Sequence, residues 1–208
     1  MTAITIDYYF APNSPWAYLG HRRFAEIARA AGAGIDVLPV DLGGKVFPVS
    51  GGLPLAKRAP QRQAYRLLEL RRYSEWLDVA INVTPRYFPV NPDDAARLIV
   101  AVAMKDGSDA AMRLTEAVLR AVWAEERHIA DESVLAQLLV EQRLPAARLD
   151  DAHTQSVHER YEAGSQQAID AGVFGAPSYV VDGEIFWGQD RLDFLERRLA
   201  RAKKPTAR

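Results

Sequence analysis

The chain has 208 residues, with 26 Lys plus Arg against 27 Asp plus Glu and a formal net charge of −1 at pH 7. Such neutrality is a poor match for nucleic acid, which calls for a basic face, and 49% hydrophobic with 25% charged residues is an ordinary globular balance. The absence of cysteine excludes a disulfide scaffold, a thiolate zinc site, an iron–sulfur cluster and any enzyme relying on its own cysteine.

Residues 4–10 (ITIDYYF) are β-branched and aromatic and read as a buried first strand. The break at Ala11-Pro12-Asn13-Ser14-Pro15 is followed by Trp16, Leu19, Phe24, Ile27 and Ala31 at helical spacing up to Gly32. Ser14 falls at the N-cap with Pro15 at the first helical position, a favoured pairing. Residues 34–42 (GIDVLPVDL) form a second strand, so the chain opens as strand–helix–strand, the unit of parallel sheets.

Residues 43–60 are rich in Gly and Pro and are expected to be a long loop, the kind that is functional or mobile in compact domains. Helices are expected at residues 62–77, 92–104, 110–126, 131–142 (with Asp131 as cap) and 151–171, with a second loop at 82–91. Strands return at 178–181 and 184–187, joined by Asp182-Gly183, a strong hairpin signal. A last amphipathic helix from about 190 to 201 carries Leu192, Leu195 and Leu199 on one face. The expected class is α/β, βαβ…αββα. Residues 1–42 and 172–208 form one domain, and 43–171 form an inserted loop and helical unit. The basic tail from residue 197 onward reads as a solvated helix end. No apolar run nears the roughly 20 residues of a bilayer span. The first ten residues lack a basic stretch of the kind that opens a signal peptide, and the expectation is a soluble cytoplasmic protein.

Open α/β sheets bind ligands beyond the carboxyl ends of their strands, where loops meet helix N-termini. Three junctions qualify. Ser14 offers a hydroxyl at a helix start, where anions are favoured, although a plain N-cap explains it equally well. No Gly-x-Ser-x-Gly surrounds it, so a hydrolase nucleophile is not supported. Pro177, before a strand, is either a turn residue or a cis proline that presents backbone groups. Asp190, in Trp187-Gly188-Gln189-Asp190-Arg191, either caps a helix or meets an ammonium group. His21, His128, His153 and His158 are too scattered for a metal site, none is expected, and Trp76, Trp123 and Trp187 read as core.

Together these residues resemble a known family. The strand–Ser-Pro–helix opening, the helical insert and Gly175-Ala176-Pro177 before a hairpin resemble the DsbA-like branch of the thioredoxin fold. Where that fold carries Cys-x-x-Cys, this chain has Ser14-Pro15-Trp16-Ala17, so disulfide chemistry is not expected. Phe174-Gly175-Ala176-Pro177 and Trp187-Gly188-Gln189-Asp190-Arg191-Leu192 look like 2-hydroxychromene-2-carboxylate isomerases and the related kappa-class glutathione transferases. The resemblance implies glutathione as cofactor, with Ser14 hydrogen-bonding its thiolate. The backbone at Ala176-Pro177 would pair with the tripeptide as an added strand, and Gln189, Asp190, Arg191 and Leu192 would hold its γ-glutamyl end. It implies that Lys57, Lys45, Arg58, Phe88 and Asn91 face a small aromatic carboxylate, and it is compatible with a homodimer. The implied activity converts 2-hydroxychromene-2-carboxylate to trans-o-hydroxybenzylidenepyruvate in aromatic catabolism. The alternatives are a kappa-like transferase or peroxidase, and a redox-inactive peptide-binding module.

Overall fold

The computed structural model describes residues 4–202; the last part of the basic tail, 203–208, lies outside them. Four strands form one sheet in the order β2-β1-β3-β4, with β1 Thr5–Phe10, β2 Gly34–Pro39, β3 Ser178–Val181 and β4 Glu184–Trp187. β1 and β2 run parallel from Thr5↔Gly34 to Phe10↔Pro39, while β1–β3 and β3–β4 are antiparallel. Pleating sends alternate side chains of β1 to opposite faces. Ile6, Tyr8 and Phe10 join the large core with Phe24 and Tyr179, and Tyr9 joins a smaller one with Leu38, Val40 and Val173. Asp182 (φ 50°) and Gly183 (φ 80°) both occupy the left-handed region, which is what a two-residue hairpin turn requires.

Helix α1 (Pro15–Ala31) packs on the large-core face. Tyr8 stacks on Phe10 at 4.6 Å and on Tyr179 at 5.4 Å, with Phe24 of α1 4.5 Å from Tyr179. Residues 43–60, expected to be a loop, hold structure instead: a π-helical turn at Leu42–Val46, a short α2 at Phe47–Ser50 and a 3-10 turn at Leu55–Lys57. The cause is Asp41, whose carboxylate accepts the Gly44 N–H at 2.7 Å, while its own N–H donates to Ser165 Oγ at 3.0 Å. These bonds also end the second strand at Pro39 rather than residue 42.

The helices that follow are α3 (Pro60–Leu77), α4 (Asp93–Asp106), α5 (Ser108–Trp123) and α6 (Glu132–Glu141), the last capped by Asp131 as expected. The helix expected at 151–171 is two, α7 (Arg148–Ala152) and α8 (Gln155–Asp170). Thr154 separates them: it is extended at ψ 149° and its hydroxyl donates to the Asp151 carbonyl at 2.6 Å, a local bond that competes with helix continuation. The final helix starts two residues later than expected, as Gln189–Arg191 form a 3-10 turn before α9 (Leu192–Ala202). Trp123 is fully buried as expected, but Trp76 is 67% and Trp187 49% exposed. The buried cluster runs without interruption from the sheet into α4, α5 and α6. Among the described residues no helix is long and apolar enough to cross a membrane.

His21 sits in this core, 2% exposed, with Nε2 3.0 Å from the Met112 carbonyl and Nδ1 3.3 Å from the Tyr8 hydroxyl. Burial, only partly offset by Glu116 and the Met112 bond, pushes its pKa down to about 4. An unfolded histidine takes up its proton near pH 6.5. Between these values the unfolded chain binds more protons than the folded one, so stability falls as pH falls. Urea denaturation should show a loss on the order of 3 kcal/mol from this residue between pH 7 and pH 4. A His21→Gln variant, less stable at pH 7, should lack that part of the slope.

Candidate functional site

The carboxyl ends of β1 and β4, the cis Ala176–Pro177 bond before β3 and the start of α1 open onto one cleft of about 1430 Å³. Ser14 sits at its base, 8% exposed, in extended conformation (φ −83°, ψ 121°), and its Oγ accepts the Ala17 N–H at 3.2 Å. As the hydroxyl's acceptor role is satisfied within the helix, its proton remains to be donated. Pro15 lacks an N–H, so the helix start presents few donors besides Trp16 and the serine hydroxyl.

The position of α1 is set from the far side of the cleft. A Cβ on Gly20 would lie 2.7 Å from Gln189 Cβ and 3.4 Å from Gln189 Cα, so only glycine lets helix and turn approach this closely. The turn is held to the cis proline by a bond from Gly188 N–H to the Pro177 carbonyl (2.8 Å), and Arg191 N–H returns to the Gly188 carbonyl at 3.1 Å. Gln189 is 2% exposed, yet its Oε1 has no hydrogen-bond partner. Ala176 lines the cleft, and among the described residues neither its N–H nor its carbonyl is engaged. Asp190 and Arg191 pair with each other at 2.5 Å. Above them Trp187 packs edge-on against Phe174 at 4.7 Å.

Helix α3 forms the opposite wall. Tyr73 meets Trp16 edge-on at 5.9 Å. Burial, with the charge of Asp190 next, raises the Tyr73 pKa, and Tyr73 lines the same cleft as the 188–191 turn. One to three turns back along the helix, Glu69, Arg66, Tyr65 and Arg62 also line the cleft, and Arg58 does so from just before it. The Arg66 guanidinium lies 5.3 Å from the Phe88 ring centre and 5.6 Å from that of Trp123. Burial, and then the neighbouring Arg58, push its pKa down to about 10. Arg58 is lowered in the same way, by burial and then by Arg62, while its Nε donates to the Leu53 carbonyl at 2.8 Å. Asn13 ties the serine loop to the loop bearing Phe88 by donating to the Val90 carbonyl at 2.9 Å.

Of the residues singled out from sequence, Ser14, Arg58, Phe88, Asn91, Ala176, Gln189, Asp190 and Arg191 meet in this cleft. Pro177 and Leu192 are buried behind its wall. Lys45 and Lys57 are not brought to it. Lys45 belongs to the π-helical turn on α8 and pairs with Glu162, and Lys57 is exposed on a 3-10 turn. Sequence reasoning passed over Arg62, Arg66, Tyr65 and Tyr73. Their signal was available: Arg62 and Arg66 are four residues apart in α3, which sets them on one helical face, and Arg58 lies in the extended segment just before it. Among the described residues no group of three or more His, Asp or Glu side chains is placed to hold a metal ion.

A family model for the DsbA-like thioredoxin domain matches residues 5–200. The chain belongs to that family. Among curated relatives it is 29% identical over 196 residues to the 2-hydroxychromene-2-carboxylate isomerase of Sphingobium xenophagum, covering 94% of this chain and 97% of that one. It is 26% identical to the enzyme of the same name from Pseudomonas putida, covering 97% of each. A solved 2-hydroxychromene-2-carboxylate isomerase superimposes with a TM-score of 0.79 at 25% identity over 95% of both chains. The cytosolic disulfide reductase DsbM of Pseudomonas aeruginosa shares the fold, with a TM-score of 0.66 at 19% identity over 94% of this chain and 98% of that one. Within this DsbA-like family, the chain is similar over nearly its whole length to isomerases.

The Gly20 contact is open to direct test. Gly20→Ala places a methyl group against a backbone turn that has no flexible side-chain end to give way. Equilibrium denaturation should show a loss of roughly 1–3 kcal/mol. The turn carrying Gln189 should move with it, which amide chemical shifts at 188–191 would register.

Proposed function

We propose that this protein is a glutathione-dependent isomerase that converts 2-hydroxychromene-2-carboxylate to trans-o-hydroxybenzylidenepyruvate, a cytoplasmic step of aromatic catabolism. The observation that carries the proposal is Ser14: a buried hydroxyl with an uncommitted proton, opening on a cleft at the helix start of a thioredoxin-like chain without cysteine. The fit of a tripeptide thiol is supported by the free backbone of Ala176 beside a cis proline and by the unpartnered Oε1 of Gln189. Asp190 and Arg191 offer charges of both signs to its γ-glutamyl end. When bound, glutathione supplies what the chain lacks, a thiolate able to add reversibly to a conjugated double bond and so free it to rotate.

Energetics assign the serine its task. A free thiol has a pKa of about 8.5, and lowering it by two units takes about 2.7 kcal/mol. A helix N-terminus supplies about 0.3–1 kcal/mol. A hydrogen bond to a charged group adds about 1.5–3 kcal/mol, so the hydroxyl is needed as well as the helix. Ser14 therefore donates and does not attack. The cleft, at about 1430 Å³, exceeds the roughly 300–1,000 Å³ of an ordinary ligand site and gives a tripeptide and an aromatic acid room side by side. Phe88, Trp16, Tyr65 and Tyr73 line it with ring surface suited to the second of these.

The thiol balance separates the readings. With 2-hydroxychromene-2-carboxylate and substoichiometric glutathione, the protein should give many turnovers per glutathione while total thiol stays constant. Thiol loss in step with turnover moves the assignment to a transferase, and no conversion removes the substrate. Ser14→Ala should fold, at a cost of about 1 kcal/mol for the lost cap, and should lower kcat roughly ten- to hundredfold through weaker thiolate stabilisation.

A further inference from the structure

Three arginines and the start of α3 place positive charge around one part of the cleft without anything negative to meet it. Arg62 and Arg66 lie one turn apart on α3, Arg58 lies in the extended segment before the helix, and all three line the cavity. The first turn of α3 holds no acid, and its N-cap, Ala59, has no side chain to accept a hydrogen bond. Among the described residues, no hydrogen bond or ion pair engages the side chain of Arg62 or Arg66, and Arg58 donates only to a backbone carbonyl. The acids that share the cleft are committed elsewhere. Glu69 pairs with Arg72 at 2.6 Å, Asp190 pairs with Arg191, Asp41 accepts the Gly44 N–H, and Asp93 accepts the Tyr161 hydroxyl at 3.4 Å. Arg58 and Arg66 are partly buried and Arg62 is exposed; like charges so placed repel one another, and the two partly buried ones forfeit hydration. Such a cluster is unfavourable unless an anion completes it.

Arg66 has the geometry to receive that anion. Its planar guanidinium sits over the rings of Phe88 and Trp123, which hold it in place through the ring faces and leave the N–H edge undirected. A guanidinium edge matches a carboxylate by two parallel hydrogen bonds, and a lysine ammonium does not. Phe88 lines the same cleft, so an aromatic ring attached to that carboxylate has a surface to rest on.

We infer that Arg66, supported by Arg62 and Arg58, forms the subsite that takes the carboxylate of an aromatic 2-oxo acid, and that Lys57 does not. The ligand's identity rests on the isomerase reading, whereas the anion chemistry stands on the geometry of α3. Glutathione also carries carboxylates, so the two sources are tested apart.

Calorimetric titration with benzylidenepyruvate and with its methyl ester, in the absence of glutathione, isolates the subsite from turnover. The wild-type protein should bind the acid at least tenfold more tightly than the ester, and the acid's Kd should rise with salt. Arg66→Met should abolish that preference, Arg66→Lys should restore only part of it, and Arg62→Gln should weaken acid binding severalfold. Glutathione affinity should stay within twofold in all three, and Lys57→Met should leave acid binding within twofold. Equal binding of acid and ester by the wild-type protein overturns the inference. So does a larger loss from Lys57→Met than from Arg66→Met, or a loss confined to glutathione. Should Arg66→Met fail to fold, Arg62→Gln and the salt dependence of the wild-type acid and ester decide the matter. Failure of the isomerase reading shows separately, as absence of conversion by a protein that still distinguishes acid from ester.

Discussion

The approach of α1 to the turn at Gln189 governs the site. At Gly20 the helix comes so near the turn that a single methyl group would collide with Gln189. One turn further along the same face, Phe24 anchors the helix in a stack with Tyr8 and Tyr179. Between these two contacts the helix has no freedom to slide. Ser14 lies six residues, or about 9 Å of helix rise, before Gly20, so fixing Gly20 fixes the height at which the hydroxyl meets the cleft. The same turn is bonded to Pro177, and the free backbone of Ala176 is thereby held in the same cleft as the serine. One close contact thus sets the relative places of the hydroxyl, the peptide edge and the unpartnered Gln189 Oε1.

The parts of this arrangement legible in the sequence are those made by local rules. The β-branched and aromatic run in residues 4–10, Ser14-Pro15 at a helix start and Asp182-Gly183 in a hairpin each depend on neighbours in the chain, and each is where the sequence puts it. The parts that escaped depend on partners far away. The turn at Leu42–Val46 forms because Asp41 is held by Ser165, more than a hundred positions on. The interruption at Thr154 is local, but a hydroxyl that prefers the Asp151 carbonyl to helix continuation is not distinguishable in sequence from a tolerated helical threonine.

The site divides along the same line. Residues at strand ends were legible because a sheet gathers its strand ends at one edge whatever the insert does. The arginines of α3 were passed over because repeated cations on a polar helix describe a solvated face equally well. Only the placement of α3 across from Trp16 and beside Phe88 turns that face inward. Lys57 is the converse case. A lysine in a Gly- and Pro-rich loop is close in sequence to Arg58, but the 3-10 turn exposes one and directs the other into the cleft.

On the proposed reading, the two walls of the cleft solve different electrostatic problems. At Ser14 the protein offers a neutral hydroxyl and a helix start, a combination worth about as much as two units of thiol pKa but without a full positive charge. A cation there would hold a thiolate as an ion pair and oppose its addition to anything else. A neutral donor favours the anion and still lets it leave. At Arg66 the need is the reverse. A carboxylate that takes no part in bond making is best held by a full charge with fixed orientation, which the stacked guanidinium provides. On the proposed reading, an isomerase must release the carbon it attacks while never losing hold of the molecule during rotation. A soft grip at the reacting end and a firm one at the spectator carboxylate meet both demands, and the separation of the serine from the arginines onto facing walls is what lets one cleft carry both.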